Sequence, residues 1–184
     1  TTSNKTYDGN TVATLNTGGV TYTGLIGGDV FNGTYTGAFS DKNVGTGKTV
    51  TITPSYTGAD VSNYSVTDHS TVTADVAVKA LTATASAANK TYDGTTTATT
   101  TLTFTGLVGS ETLGQTVGST FNNKNVGTGK TVTVNSITLA NGSNGGLAAN
   151  YSISPGQTTT ANVTAKALTV SGITAANKTC LLYT

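Results

Sequence analysis

Asn43-Val44-Gly45-Thr46-Gly47-Lys48-Thr49-Val50-Thr51-Ile52-Thr53 decides the fold class of this chain. From Thr49 onward it alternates Thr with β-branched apolar residues, the period of a strand with one buried face. The two glycines ahead of that run suit a tight turn, because glycine adopts positive φ without steric cost. The first nine letters return unchanged as Asn125 through Thr133, and Val134 continues the alternation. Helical periodicity is absent from both copies.

Working outward, three more motifs recur in the same order. Asn4-Lys5-Thr6-Tyr7-Asp8-Gly9 returns as Asn89-Lys90-Thr91-Tyr92-Asp93-Gly94. Asn63-Tyr64-Ser65 returns as Asn150-Tyr151-Ser152, and Lys79-Ala80-Leu81-Thr82 as Lys166-Ala167-Leu168-Thr169. The period is about 85 residues, enough for a modest core in each unit. The motifs divide the chain into a first repeat over 1–84 and a second over 85–174. Residues 175–184 begin a third with Ala175-Ala176-Asn177-Lys178-Thr179, then depart into Cys180-Leu181-Leu182-Tyr183-Thr184. That stretch reads as a truncated third repeat with an aberrant tail. The second unit is longer at Ala140 to Gly146, which is expected to be a surface loop.

The fold expected is all-β: two tandem small antiparallel β domains, sandwich-like or grasp-like, with little or no helix. Five to seven strands per unit fit the spacing of the turn signals. The nearest approach to a helix is Ala83 to Ala88. Leu25, Phe39, Val44, Val50, Ile52, Tyr64 and Leu81 are the expected core, matched by Leu107, Phe121, Val126, Val132, Val134, Tyr151 and Leu168. Ala161 to Thr174 alternates across the end of the second unit, as Ala74 to Thr84 does across the first, with no Pro/Gly/Ser linker. A strand shared by neighbours would couple the units stiffly.

Composition narrows the function. The chain has nine lysines, no arginine and a formal charge of +1, so no basic footprint for nucleic acid is present. No apolar run nears the ~20 residues of a membrane helix, so membrane insertion is not expected. Thr1-Thr2-Ser3-Asn4 shows no secretion signal. One Cys and one His make neither an internal disulfide nor a typical structural zinc site. Thr supplies roughly a quarter of the chain, which is strand-building material.

Four tempting chemistries reduce to structure. Asp68-His69-Ser70 are adjacent, whereas a relay needs a base reaching a separate nucleophile, so His69 reads as an exposed hairpin residue. Gly45-Thr46-Gly47-Lys48-Thr49 lacks the spacing of a phosphate loop and is followed by a strand. Asp8, Asp29, Asp41, Asp60 and Asp68 do not fall at the spacing of a calcium loop. Recurring lysines (Lys5, Lys48, Lys79) with Asn43 and Asn63 would permit a Lys–Asn isopeptide bond, but few acids recur to catalyse it, and lysine stems lying on the sheet are the plainer reading. The expectation is therefore no catalytic residue, no metal, no cofactor, and a protein that is not an enzyme.

The four ordered motifs resemble the YDG-type repeat of large secreted bacterial exoproteins, many of them similar to filamentous-haemagglutinin adhesins. Its motif residues here are Lys5, Tyr7, Asp8, Gly9, Asn43, Gly45, Lys48 and Tyr64 in the first unit. The second unit supplies Lys90, Tyr92, Asp93, Gly94, Asn125, Gly127, Lys130 and Tyr151. One departure is Asp29, which becomes Glu111, a conservative change in a turn. The resemblance implies a secreted, bacterial cell-surface setting, neighbouring repeats as partners, and host or matrix glycans as further candidates. The function it implies is a non-catalytic structural or adhesive stalk repeat. A carbohydrate-binding module, with Tyr22, Tyr35 or Tyr56 stacking on sugar, is the alternative, and a hydrolase of unrecognised type the third choice.

Overall fold

A computed structural model of the chain describes residues 1–179, so Cys180 and the rest of the aberrant tail lie outside the described residues. The first unit contains β1 (Lys5–Thr6), β2 (Val12–Ala13), β3 (Asn32–Phe39), β4 (Gly45–Thr57) and β5 (Thr71–Ala77). The strands β6 (Lys79–Ala80) and β7 (Thr82–Ala87) follow. The second unit continues with β8 (Lys90–Thr91), β9 (Thr97–Ala98), β10 (Thr100–Thr105), β11 (Leu113–Phe121) and β12 (Gly127–Asn141). It closes with β13 (Tyr151–Ser152) and β14 (Thr158–Thr164). Helix among the described residues is limited to two 3-10 turns, Val61–Asn63 and Ala148–Asn150, each placed just before the Tyr of an Asn-Tyr-Ser motif.

Both units build the same five-stranded sheet. The order is β1-β5-β4-β3-β2 in the first and β8-β14-β12-β11-β9 in the second. The long hairpin β3–β4 pairs Phe39 with Val50, and its counterpart β11–β12 pairs Phe121 with Val132. All-β architecture is as expected, and the central strands are antiparallel. The short outer strands β1 and β8 differ: each lies parallel to its neighbour, β5 or β14. The chain reaches them from outside the hairpin series, so they can add to the edge in the same direction as the last strand.

The quoted Gly-Thr-Gly-Lys stretch is a bulge rather than a plain turn. Register shifts between Gly45 and Lys48, and again between Gly127 and Lys130. Gly47 and Gly129 take φ of +57° and +59° there, which a β-carbon would oppose. A side chain on β5 or β14 fixes each bulge, the Asp75 carboxylate accepting from the Gly47 amide at 2.8 Å and the Asn162 amide oxygen from Gly129 at 2.8 Å.

Two expectations change at the passage between units. Ala83 to Ala88, the nearest approach to a helix, forms strand β7 instead, paired antiparallel with β10 from Thr82↔Thr105 to Ala87↔Thr100. Its alternating Thr and Ala satisfy a strand as readily as a helix, and the waiting edge of β10 decides. Nor does one unbroken strand cross the junction. β5 ends at Ala77, and β6 then pairs parallel with β13 before β7 joins β10. The sequence boundary at 84/85 falls inside β7, and residues 79–87 hydrogen-bond to strands of the second unit.

The core follows the alternation. Tyr7, Ala13, Phe39, Val50, Ala74 and Val76 are buried together in the first unit, and Leu81 and Tyr151 belong to the same cluster. Ala98, Phe121, Val132, Ala161 and Val163 form the second cluster. Val126 and Leu168, expected in the core, are instead exposed. Their first-unit counterparts Val44 and Leu81 are covered because the second unit packs on them.

Candidate functional site: the joint between the repeats

Lys5 prepares the turn that carries the joint. Its ammonium donates to Asp8 Oδ1 at 2.8 Å, to the Asn10 carbonyl at 2.7 Å and to the Val12 carbonyl at 3.1 Å. The cation also lies 5.3 Å from the centre of the Phe39 ring, over whose face it is attracted. Lys90 repeats the arrangement on Asp93, Thr95 and Thr97, 5.6 Å from Phe121. The Tyr-Asp-Gly turn is therefore held from beneath in both units, with Gly9 and Gly94 at φ +82°. Lys48 and Lys130 secure the other loop in the same manner, donating to the Asn43 carbonyl and to the Asn123 carbonyl.

From that turn Tyr7 reaches into the second unit. Its hydroxyl donates to Glu111 Oε1 at 2.7 Å, while the Tyr151 hydroxyl donates to Oε2 of the same carboxylate at 2.7 Å. The two rings meet edge to face, 5.4 Å between centres. Lys42 adds a third donor to Oε1 at 3.2 Å. The Tyr151 hydroxyl in turn accepts from the Val108 amide at 3.0 Å. Beside this cluster, Asn150 accepts from the Val44 amide at 3.0 Å and donates to Asn43 Oδ1 at 3.1 Å. Gly9 lies so close to Val108 that a β-carbon there would stand 2.6 Å from its methyl carbon.

Glu111, Tyr7, Tyr151 and Asn150 are all buried, so the charge at this joint needs its partners. Burial alone would push the Glu111 carboxyl up, but hydrogen bonds from Tyr151, Tyr7 and Lys42 outweigh it and hold it below its ordinary value. Burial, then the bond to Glu111, pushes Tyr151 up to about 12 and raises Tyr7 as well. The hydrogen bond to Glu111 raises Lys42. The result is one satisfied buried carboxylate fed by three donors from both units. That arrangement fixes relative position, since each donor direction is set by its own sheet.

The family model for the YDG domain matches residues 1–74 and 77–161. The chain belongs to the YDG domain family. Comparison with curated proteins and with solved structures gives no match. In this YDG-domain chain the eponymous Tyr, Asp and Gly have separable roles: Tyr7 bonds across the joint, Asp8 receives Lys5, and Gly9 clears Val108. The motif residues Asn43 and Tyr151 join them at the joint, while Gly45 and Lys48 shape the loop that carries Asn43, and Gly127 and Lys130 shape its counterpart in the second unit.

The copies not facing a neighbour show what the joint contributes. Tyr92, Gly94 and Asn125 repeat Tyr7, Gly9 and Asn43, yet Tyr92 is only half-buried and a β-carbon at Gly94 would meet nothing. Tyr64 and Asp29 repeat Tyr151 and Glu111, with the Tyr64 hydroxyl donating to Asp29 Oδ2 at 2.6 Å and accepting from the Ile26 amide at 3.0 Å. The acceptor half of the joint is thus assembled in the first unit as well.

Other candidates are dispersed by the fold. Asp8 and Asp41 pair with Lys5 and Lys48, Asp29 with Tyr64, Asp60 with the Val30 amide, and Asp68 with the Tyr56 hydroxyl. His69 is exposed in the segment before β5. Tyr22, Tyr35 and Tyr56 do gather along a cleft of about 420 Å³ in the first unit, with the Phe31 ring packed against Tyr22 and Tyr56. Sequence reasoning missed Glu111, Lys42, Val108 and Asn150 as joint residues. The available signal was the recurrence of Asn43 and Asn63, which had no partner within their own motifs.

Proposed function

We propose that this chain is a non-catalytic stalk or spacer segment of a secreted bacterial surface adhesin, in which successive YDG domains are locked at a fixed angle. The single observation that supports it most is the three-donor bond to buried Glu111, whose partners Tyr7 and Lys42 come from the preceding unit. A repeat whose best-satisfied polar cluster lies between copies is suited to transmitting position along an array, since each interface adds its own nearest-neighbour term. Lys5 with Asp8 and Lys48 with Asp41, which would tempt a catalytic or metal reading, are already engaged in turns and bulges, and Asn43 is engaged at the joint. Small-angle scattering tests the reading. The chain is expected to behave as one rigid particle and the Glu111→Ala variant as a more flexible one. Curves from the unaltered chain that fit freely jointed units would sink the idea.

The aromatic cleft of the first unit favours one second reading, a carbohydrate-binding module. Its aromatic lining repeats at only one of three positions, because Tyr22, Tyr35 and Tyr56 are matched in the second unit by Phe104, Val117 and Leu139. A glycan array separates the two: retention of sugars by the chain supports the module, and silence supports the stalk.

A further inference from the structure

The chain enters and leaves each five-stranded sheet through two neighbouring parallel strands. In the first sheet these are β1 and β5, paired Lys5↔Val76 and Thr6↔Ala77. In the second they are β8 and β14, paired Lys90↔Val163 and Thr91↔Thr164. Strands that run side by side in one direction have their entry and exit at opposite ends. Tension along the chain therefore draws β1 toward its N-terminal end and β5 toward its C-terminal end. The two are pulled lengthwise past each other, and the bonds between them resist together. An antiparallel pair in the same place would be drawn apart from one end, and its bonds would break one at a time.

Each pair is longer than its two ladder steps. Beyond Thr6 the Tyr7 amide donates to the Ala77 carbonyl at 2.9 Å, as the Tyr92 amide does to the Thr164 carbonyl at 2.8 Å. Ahead of Lys5 a side chain continues the ladder: Asn4 Oδ1 accepts from the Asp75 amide at 2.8 Å, and Asn89 Oδ1 from the Asn162 amide at 2.6 Å. Asp75 and Asn162 also hold the bulges at Gly47 and Gly129, so a pull on the pair is shared with the central strand β4 or β12. Val76 and Val163 are buried, which shields the middle of each pair from water.

We propose that this parallel pair is a shear clamp through which each repeat bears tension along the chain, with Asn4 and Asn89 as its outermost latch. The Asn that opens the Asn-Lys-Thr-Tyr-Asp-Gly motif thereby gains a mechanical role, separate from the joint that Tyr7 makes with the next unit. The inference rests on the stalk reading, since a stalk between a cell and a surface is pulled along its length.

Single-molecule stretching of the full chain in two directions tests it, with Cys180→Ser so that only the chosen positions take handles. Handles on Thr1→Cys and Val78→Cys pull β1 and β5 lengthwise. Handles on Thr1→Cys and Thr73→Cys, an exposed position of β5 ahead of the partner of Lys5, draw the same pair apart from one end. Only the direction differs, so unfolding forces at one pulling rate compare geometry rather than equilibrium stability. The lengthwise force is expected to be higher by about twofold or more, because bonds that share a pull must yield together. Asn4→Ala should lower it, and Asn89→Ala, which alters the clamp of the other unit, should not. Equal forces in the two directions overturn the proposal, and so does a lengthwise force that Asn4→Ala leaves unchanged or that Asn89→Ala lowers as much. Stiffness of the joint is read separately by scattering, so the stalk reading can stand where the clamp falls.

Discussion

The Tyr7 hydroxyl donates to Glu111 Oε1 at 2.7 Å, across 104 positions of sequence and from one repeat into the next. The equivalent hydroxyl, on half-buried Tyr92, has no following unit to bond among the described residues. Two chemically identical residues in the same turn thus differ only in whether a neighbour is present.

That contrast predicts unequal costs for the same substitution. Tyr7→Phe removes one of three donors to a buried carboxylate and should destabilise the chain by about 1–3 kcal/mol. Tyr92→Phe should change stability by less than about 0.5 kcal/mol. Urea unfolding of both variants makes the comparison, and equal losses would show that the joint adds nothing to Tyr7.

Acidity should loosen the joint in a defined direction. Glu111 is held below its ordinary value in the folded chain, so its stabilisation is present above the unfolded pKa, about 4.5. It is lost as pH falls through the lower, folded pKa, when the carboxylate gains a proton and its three donors lose a charged acceptor. Glu111→Gln should therefore be less stable than the unaltered chain at pH 7 and fall less steeply below pH 4.5. Parallel acid-unfolding curves would remove the carboxylate from the account.

Alkali acts on the same cluster through its tyrosines. Tyr151, pushed up to about 12 by burial and by its bond to Glu111, contributes stability below its unfolded value of about 10. That contribution disappears between about 10 and 12, as the folded-state phenol ionises beside a carboxylate. Ultraviolet difference absorbance should show a late-ionising component relative to an unfolded control, and Tyr151→Phe should diminish it, the remainder belonging to Tyr22, which its hydrogen bond to Tyr35 also pushes up to about 12. A Tyr151 that titrates with the unfolded chain would contradict the buried hydrogen bond.

Much of a single repeat was legible in sequence, and the joint was not. Thr49 to Thr53 announced β4 because alternation is a local property, and Gly47 announced a positive φ because that is one too. The pairing with β5 that makes the stretch a bulge and not a turn is not local. Asp29 and Glu111 looked like a conservative turn change, since nothing local tells a carboxylate that meets one tyrosine from one that meets two. Leu81 and Leu168 share a motif, which predicts matching core positions in the two units. Only Leu81 is buried, because the covering surface belongs to the unit that follows. Ala83 to Ala88 misled for the same reason: the edge of β10 that makes it a strand lies outside its own window.

Gly9 and Gly94 supply the sharpest paired test of whether the joint is packed or merely touching. Both sit at φ +82°, so alanine at either position meets the same left-handed strain, on the order of 1 kcal/mol. At Gly94 the new β-carbon would enter open space, whereas at Gly9 it would stand 2.6 Å from a Val108 methyl carbon. Val108 is branched and its amide is fixed to the Tyr151 hydroxyl, so it cannot swing aside without disturbing the Glu111 cluster. Gly9→Ala should therefore cost about 1–3 kcal/mol more than Gly94→Ala, the usual range for overpacking. Val108→Ala in the Gly9→Ala background should recover part of the difference, because it removes the methyl that is struck. Equal unfolding midpoints for the two glycine variants, or no recovery in the double variant, would mean that the second unit does not press on the Tyr-Asp-Gly turn.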